Sequence, residues 1–237
     1  MKIEGRNAVK EALQSEKEID VLLVEKGIHH EILSLARERG VKIQFVDRAV
    51  LDRESVTKRH QGFLAKVSEF RYSETEDLLA SAREKEHDPF LVLLDGIEDP
   101  HNLGSILRVC ECAGVDGVII PKNRAVPVNE TVVRCSAGAS EHMKVARVTN
   151  LNQTIEYLQS QGVWVYCTDM DGESVYGTSL TGPIAFVIGS EGFGVRQLTK
   201  KLCDKTVSLP VLGKVNSLNA SVACGIVVYE AVRQRMK

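Results

Sequence analysis

The sequence predicts an α/β protein in two parts: a parallel sheet with helices on both faces over residues 89–237, and a smaller α/β unit over residues 1–72. Three observations carry this. From residue 90 onward the chain holds continuous apolar runs, FLVLLDG, GVIIP, WVYCTDM and IAFVIGS. A strand with no polar face is buried on both faces, which is the condition of a parallel sheet. Segments of helical period alternate with these runs, as βαβ connections require. Finally, residues 73–88 change character. Glu74, Glu76, Asp77, Glu84, Glu86 and Asp88 outnumber Arg83 and Lys85, and Pro89 restarts the chain. This stretch is expected to be a charged linker in which DLLASAREKE forms one exposed helix.

Taken in order, NAVKEALQ has helical period and IDVLLVE is an apolar strand. HEILSLARERG is a helix closed by Gly40, VKIQFV a strand, and FLAKVSEF a closing strand with alternating period. In the second part FLVLLDG is the first strand. LGSILRVCECAG is a helix with Leu103, Ile106, Leu107, Cys110 and Ala113 on its apolar side and Gly114 at its end. GVIIP, WVYCTDM and IAFVIGS are further strands, VSLPV a shorter one, and SLNASVACGIVVYEAVRQR a long final helix.

Composition narrows the function. Of 237 residues, 43% are hydrophobic and 26% charged, an ordinary globular balance. No apolar run approaches the ~20 residues that span a bilayer, and MKIEGRNAVKEAL lacks the apolar core of a secretory signal. A cytoplasmic protein without membrane contact is expected. The six cysteines form no Cys-x-x-Cys pair and have no histidine at zinc spacing, so they are expected to be reduced, mostly buried thiols, with no metal. Net charge is −2, but residues 1–71 hold 14 Lys and Arg against 12 Asp and Glu, leaving the remainder net −4. Arg48, Arg53, Lys58, Arg59 and Lys66 form a loose basic stretch beside His60, a candidate for phosphate contact.

Three segments of the second part bear chemistry. In DPHNLGSILR, Asn102 stands where a loop becomes a helix, a position that suits an N-cap, and Arg108 follows six residues on. In IGSEGFGVR, directly after an apolar strand, Gly189, Gly192 and Gly194 allow close backbone approach around Glu191. Their spacing is neither the dinucleotide fingerprint nor a P-loop. In LPVLGKVNSLNASVA, Asn216, Ser217 and Asn219 gather polar groups at the start of the last helix, which Ser217 is suited to cap. Loops at the C-terminal ends of strands are where α/β folds place ligands.

Together, in this order and spacing, the segments resemble the three motifs of the SpoU (TrmH) family of RNA ribose 2'-O-methyltransferases, within the SPOUT superfamily. Motif one runs Asn102-Leu-Gly-Ser-Ile-Leu-Arg108, motif two Ile188-Gly-Ser-Glu191-Gly-Phe-Gly194, and motif three Leu209-Pro210 through Asn216-Ser217-Leu218-Asn219-Ala220-Ser221. GRNAVKEAL and HQGFLA in the first part resemble RlmB-type members, which methylate a guanosine of 23S rRNA in the peptidyl-transferase P loop.

The resemblance implies a C-terminal trefoil knot, with S-adenosylmethionine as cofactor in a pocket made by the loops at 188–194, 209–214 and 217–219. It implies that Gly189, Gly194, Leu209 and Leu218 hold the cofactor. Asn102, Arg108, Glu191, Ser217 and Asn219 would be catalytic, with Glu191 orienting Arg108 or bridging to a partner. It further implies an N-terminal domain of ribosomal-protein-like fold that binds rRNA, for which Arg48, Arg53, Lys58 and Arg59 are candidates, and a homodimer. The apolar Val222, Ile226, Val227 and Tyr229 on several sides of the last helix favour a second contact. A tRNA methyltransferase of the same family, or one acting at another rRNA position, is the alternative. A non-catalytic RNA-binding or assembly protein is the alternative of another class.

Overall fold

The computed structural model describes residues 2–15, 17, 19–67, 70–214 and 217–236. The chain divides into two compact units, Met1–Arg71 and Tyr72–Lys237.

The first unit is a four-stranded mixed sheet in the order β1 (Lys2–Glu4), β4 (Phe63–Val67), β2 (Ile19–Glu25), β3 (Ile43–Val46). β2 and β3 are parallel and joined through α2 (Glu31–Glu38), while β4 runs antiparallel to β1 and β2. Period-two alternation sorts β2 between two layers. Leu22 and Val24 pack with Val9, Leu13, Ile32 and Leu33 of α1 (Arg6–Gln14) and α2. Leu23 faces the other way, against Leu51 of α3 (Arg48–Glu54). The sequence reading names neither β1 nor α3. Three residues of β1 are too few to show a period, and α3 buries only Leu51. Ser68 and Glu69, at the end of the expected FLAKVSEF strand, lie outside the described residues.

The second unit is a six-stranded parallel sheet in the order β10 (Lys205–Ser208), β8 (Trp164–Ser174), β9 (Ile184–Gly189), β5 (Phe90–Asp95), β6 (Gly117–Pro121), β7 (Val145–Val148). All six residues of β5 are buried, as its unbroken apolar run requires. Alternate residues face opposite layers. Leu91 and Leu93 of β5, with Ala185 and Val187 of β9, meet Ile155 and Leu158 of α7 (Leu151–Ser160). On the other face Phe90, Phe186 and Tyr166 stack edge to face, and Arg235 of α9 (Ala220–Arg235) lies 4.5 Å over the Phe90 ring. α9 packs beside α5 (Pro100–Cys112), where Val109 meets the open side of Gly225.

Three expectations are corrected. The charged stretch 73–88 is not a linker and its helix is not exposed. α4 (Thr75–Glu84) buries Leu78, Leu79 and Ala82, and both leucines join the α7-side core. Its acidic residues form one solvated face of an amphipathic helix, which a charge count alone does not separate from a linker. α5 begins before Asn102, at Pro100. Its N-cap is Asp99, which accepts from the His101 N–H at 2.9 Å, with proline at the favoured first position. Likewise α9 is capped by Asn219, not Ser217. The sequence reading also passes over β7, a four-residue edge strand, and over α7.

All six cysteines are free. Cys110, Cys167 and Cys224 are buried, Cys135 and Cys203 partly so, and Cys112 is exposed. Among the described residues no helix is long and apolar enough to cross a membrane, and no group of three His, Cys, Asp or Glu is placed to hold a metal ion.

Candidate active site

The strands of the second unit end together at one edge of the sheet, and a cavity of about 400 Å³ opens there beside β8 and β9. Its walls come from Thr168–Met170 within β8, from the end of β9 and the loop after it (Ile188–Gly194), and from Leu209, Val211, Ser217 and Leu218 between β10 and α9. The volume lies within the range of small-molecule sites, whose walls are mainly apolar with a few fixed polar groups.

The glycine loop owes its shape to close backbone packing. Ser190 N–H donates to the Gly194 carbonyl at 3.2 Å and Gly194 N–H returns to the Ser190 carbonyl at 2.9 Å. A Cβ at Gly189 would stand 2.1 Å from the Gly194 carbonyl carbon and 2.3 Å from the Val195 nitrogen. Gly194 itself has φ +63, backbone that other residues rarely adopt. This turn leaves Glu191 at the mouth of the cavity.

There Glu191 ties two distant helices together. Its Oε1 accepts from Asn102 Nδ2 at 2.8 Å and Asn219 Nδ2 at 2.5 Å, and from the Ala220 N–H at 3.4 Å. Asn219 Nδ2 also reaches Asn102 Oδ1 at 2.9 Å, while its Oδ1 caps α9 through the N–H groups of Ser221 and Val222. Because Asp99 takes the capping role on α5, the Asn102 amide is free for this cluster. A carboxylate at the start of α9 also suits the helix dipole. On the opposite wall, Asp169 is held by Lys200 at 2.9 Å. Hydrogen bonds to Asp171 and then Asp169 raise the pKa of Lys200, so its charge is secure.

Gly189, Gly194, Leu209, Leu218, Glu191 and Ser217 therefore line one cavity, and Asn102 and Asn219 join it through Glu191. Asn216 lies outside the described residues. Arg108 stands apart. It is six residues beyond Asn102, about 9 Å along the helix, exposed, and without a hydrogen bond or ion pair among the described residues. Within one chain Glu191 orients Asn102 and Asn219, not Arg108. Arg108 shares an open stripe of α5 with His101 and Cys112, and α9, which packs beside α5, leaves Val222 and Tyr229 half-exposed. Sequence reasoning assigned nothing to Asp95 and Arg196. Asp95, 1% exposed at the end of β5, accepts Arg196 Nε at 2.7 Å. An aspartate closing an otherwise apolar run was the available signal.

In the first unit the candidate RNA residues surround a loop built on Glu4. Its carboxylate accepts from Ser55 Oγ at 2.7 Å, Thr57 Oγ1 at 2.6 Å, and the N–H groups of Val56 at 2.5 Å and Thr57 at 3.2 Å. Burial would raise the Glu4 pKa, but these bonds outweigh it and hold it at about 2. Buried His60 accepts from the Gly62 N–H on Nδ1, so Nε2 carries the proton donated to Asp52 at 3.0 Å. The loop between presents Arg59 to solvent, and α3 presents Arg53; Lys58 is exposed as well, with its ammonium donating to the Asp52 carbonyl at 2.5 Å. Arg48 lies 3.9 Å from Glu25, a loose pairing, whereas Lys66 is tied to Glu54 at 2.9 Å and does not extend the basic surface freely.

A parallel α/β domain with a glycine-loop cavity and an Asn–Glu–Asn cluster at its strand ends, preceded by a small α/β unit with a basic loop, defines the class. Residues 89–229 match the SpoU rRNA methylase family, and residues 2–73 match the RNA 2'-O ribose methyltransferase substrate-binding family. The chain belongs to the SpoU family and is an RNA 2'-O-ribose methyltransferase. YacO of Bacillus subtilis (strain 168), assigned to the TrmH family of tRNA/rRNA methyltransferases, is 45% identical over 98% of this chain and 94% of its own length. The structure of an AdoMet-bound rRNA methyltransferase from Sinorhizobium meliloti covers 98% of this chain and 86% of its own, with TM-score 0.60 and 25% identity. A TrmH/SpoU tRNA modifying enzyme from A. aeolicus covers 63% of this chain and 77% of its own, with TM-score 0.58 and 27% identity.

Proposed function

We propose that this enzyme methylates the ribose 2'-hydroxyl of a guanosine in 23S rRNA, in the peptidyl-transferase P loop, and that it is of the RlmB type. S-adenosylmethionine is the methyl donor, and its sulfonium supplies an already activated methyl group. The observation that carries the reading is the Asn102–Glu191–Asn219 cluster at the mouth of the 400 Å³ cavity. The cavity fits the donor chemically. Leu209, Leu218, Gly189 and Gly194 offer apolar and backbone surface to a neutral purine, and Glu191 and Asp169 are carboxylates suited to a ligand that carries positive charge. A knotted threading of the chain end is part of the same reading. Leu209, Val211, Ser217 and Leu218, which follow β10, line the same cavity as the glycine loop, and this supports it.

Much of the catalysis is then positioning. Asn102 spends one amide hydrogen on Glu191 and one lone pair on Asn219, leaving a donor and an acceptor for the ribose hydroxyl. Ser217, in the cavity wall, holds the ribose from the other side. Arg108 remains a cation, since a guanidinium is not deprotonated in proteins. It holds the neighbouring phosphate and stabilises the developing alkoxide, while that phosphate or water takes the proton. In its own chain Arg108 stands apart from the cluster, so the complete site needs a second copy of this chain. The exposed stripe of Arg108 beside Val222 and Tyr229 is the surface for that copy, which makes the working form a homodimer.

The rRNA over tRNA preference rests on the first unit and on coverage. The rRNA methyltransferase of known structure matches almost the whole chain, whereas the tRNA modifying enzyme matches 63% of it. Arg53, Lys58, Arg59 and Arg48 are the residues offered to rRNA phosphates. The test is labelled methyl transfer to separate pools of unmodified 23S rRNA and tRNA. The reading expects label in 23S rRNA, lost when Arg53, Lys58 and Arg59 are reversed in charge. Label confined to tRNA would refute the rRNA assignment.

A further inference from the structure

A second cavity, of about 200 Å³, opens at the same edge of the sheet but on the α7 face, at the ends of β6 and β7. Asn123 and Arg124 line it from the loop after β6, Thr149 and Asn150 from the loop into α7, and Arg196 from the end of the glycine loop. Nothing in the methyl-transfer reading uses it.

Its chemistry is that of an oxyanion site. Arg196 is fixed in place: its Nε donates to Asp95 Oδ1 at 2.7 Å and its backbone N–H to Asp95 Oδ2 at 2.9 Å. Those bonds leave the terminal guanidinium N–H groups for the cavity. Arg124 is exposed and has no hydrogen bond or ion pair among the described residues. It is also held at φ 55, left-handed backbone that a non-glycine residue adopts at a cost. Among the described residues no carboxylate lines the cavity. Asp95, behind Arg196, cancels one of the two guanidinium charges. The net single positive charge matches the single negative charge of a phosphodiester. The α7 N-terminus adds its dipole, though Asn150 Oδ1 already takes the Asn152 and Gln153 N–H groups.

We infer that this cavity is a phosphate subsite, and that it seats a phosphodiester of the RNA strand close to the nucleotide being methylated. The inference rests on the reading of the chain as an RNA methyltransferase. From the end of β9 to the end of β6 is two strand spacings, about 10 Å, a distance that a single-stranded backbone spans within a nucleotide or two. Bidentate arginine recognition of phosphate needs no particular base. The subsite would therefore set the register of the strand across the catalytic edge.

Full-length protein carrying Arg124→Asn tests it, because asparagine accepts left-handed backbone and no internal bond is lost. Binding of a short labelled single-stranded RNA is measured across salt concentrations, with S-adenosylmethionine affinity by calorimetry alongside. The expected result is RNA binding roughly tenfold weaker at low salt and a log–log salt slope shallower by about 0.7, with cofactor affinity unchanged. Arg124→Lys should restore the slope but not the full affinity, since lysine keeps the charge and loses the fork. Arg83→Asn, on the end of α4 that leads into the start of β5, should leave the slope alone. An unchanged slope in Arg124→Asn overturns the subsite. Titration with inorganic phosphate separates the sources. If phosphate stabilises the unaltered protein but not Arg124→Asn, and RNA binding is the same in both, the occupant is free phosphate and the RNA assignment is wrong. Failure of the unaltered protein to bind RNA at all would sink the methyltransferase reading, and the subsite with it.

Discussion

Removing residues 72–88 should unfold or loosen the catalytic unit, although charge alone marks them as a dispensable linker. Leu78 is 0% exposed and Leu79 2%, and both pack in the core made by α7 and the sheet. Full burial of a leucine is worth about 1.5–3 kcal/mol, so the two together contribute about 3–6 kcal/mol. Ala82 adds a little, and the sheet face under α4 would be left bare. Leu78 sits directly on β6, where a Cβ at Gly117 would come 2.2 Å from its Cγ. Against a total stability of about 5–15 kcal/mol, the loss is a large share of the margin. For a unit of this size it lowers Tm by roughly 6–24 °C. Thermal unfolding followed by circular dichroism, on chains beginning at residue 72 and at residue 89, is the assay. The longer chain should unfold cooperatively and bind S-adenosylmethionine, and the shorter should not. Leu78→Ala in the full chain should cost about 2–5 kcal/mol. Equal Tm values for the two shortened chains would refute the burial argument.

Four further outcomes are expected. A chain of residues 72–237 should bind cofactor yet lose rRNA methylation by orders of magnitude, because a tethered RNA-binding unit raises local substrate concentration; near-full activity would remove the first unit from targeting. Arg108→Ala should abolish turnover while calorimetry shows cofactor affinity nearly intact, and equal loss of both would reverse the assignment. Gly189→Ala should fold but lose roughly 100-fold in turnover, with weakened cofactor binding, because its Cβ would overlap the Gly194 and Val195 backbone; wild-type kinetics would show that the loop yields freely. The Glu4 carboxyl has its folded pKa lowered to about 2 from 4.5, so its contribution is full above about 4.5 and is lost as pH falls towards 2. Acid titration of stability should therefore be flatter between those limits in Glu4→Gln, and an identical acid limb in both proteins would contradict the role given to Glu4.

What was legible in the sequence, and what was not, follows from the range of the forces involved. The buried strands β5, β6, β8 and β9 announce themselves because strands apolar on both faces leave an unbroken run. Asn102, Glu191 and Asn219 are separated by 89 and 28 residues, so no local period brings them together, and only the order and spacing of the three motifs did. Local capping was misread for the same reason. Asn102 and Ser217 both look like caps, but Asp99 and Asn219 take those places, and this frees Asn102 for the cluster. The helix at 75–84 was visible as a helix, but its burial was not, because Leu78 and Leu79 join a core whose other members lie as far along the chain as Val195. The loop on Glu4 was hidden too, since its partners lie 51 to 53 residues along the chain. Arg108 is the instructive case: motif order puts it in the site, yet its own chain leaves it in solvent.

The central claim is methyl transfer to a ribose oxygen. Its most direct test is mass spectrometry of nucleosides from unmodified 23S rRNA treated with the purified full-length protein and isotopically labelled S-adenosylmethionine. The account expects a single new product, guanosine with the labelled methyl on its ribose fragment, absent when Arg108→Ala replaces the enzyme. A labelled methyl on the base fragment would contradict the account, as would an unmodified digest from protein shown to bind both cofactor and RNA.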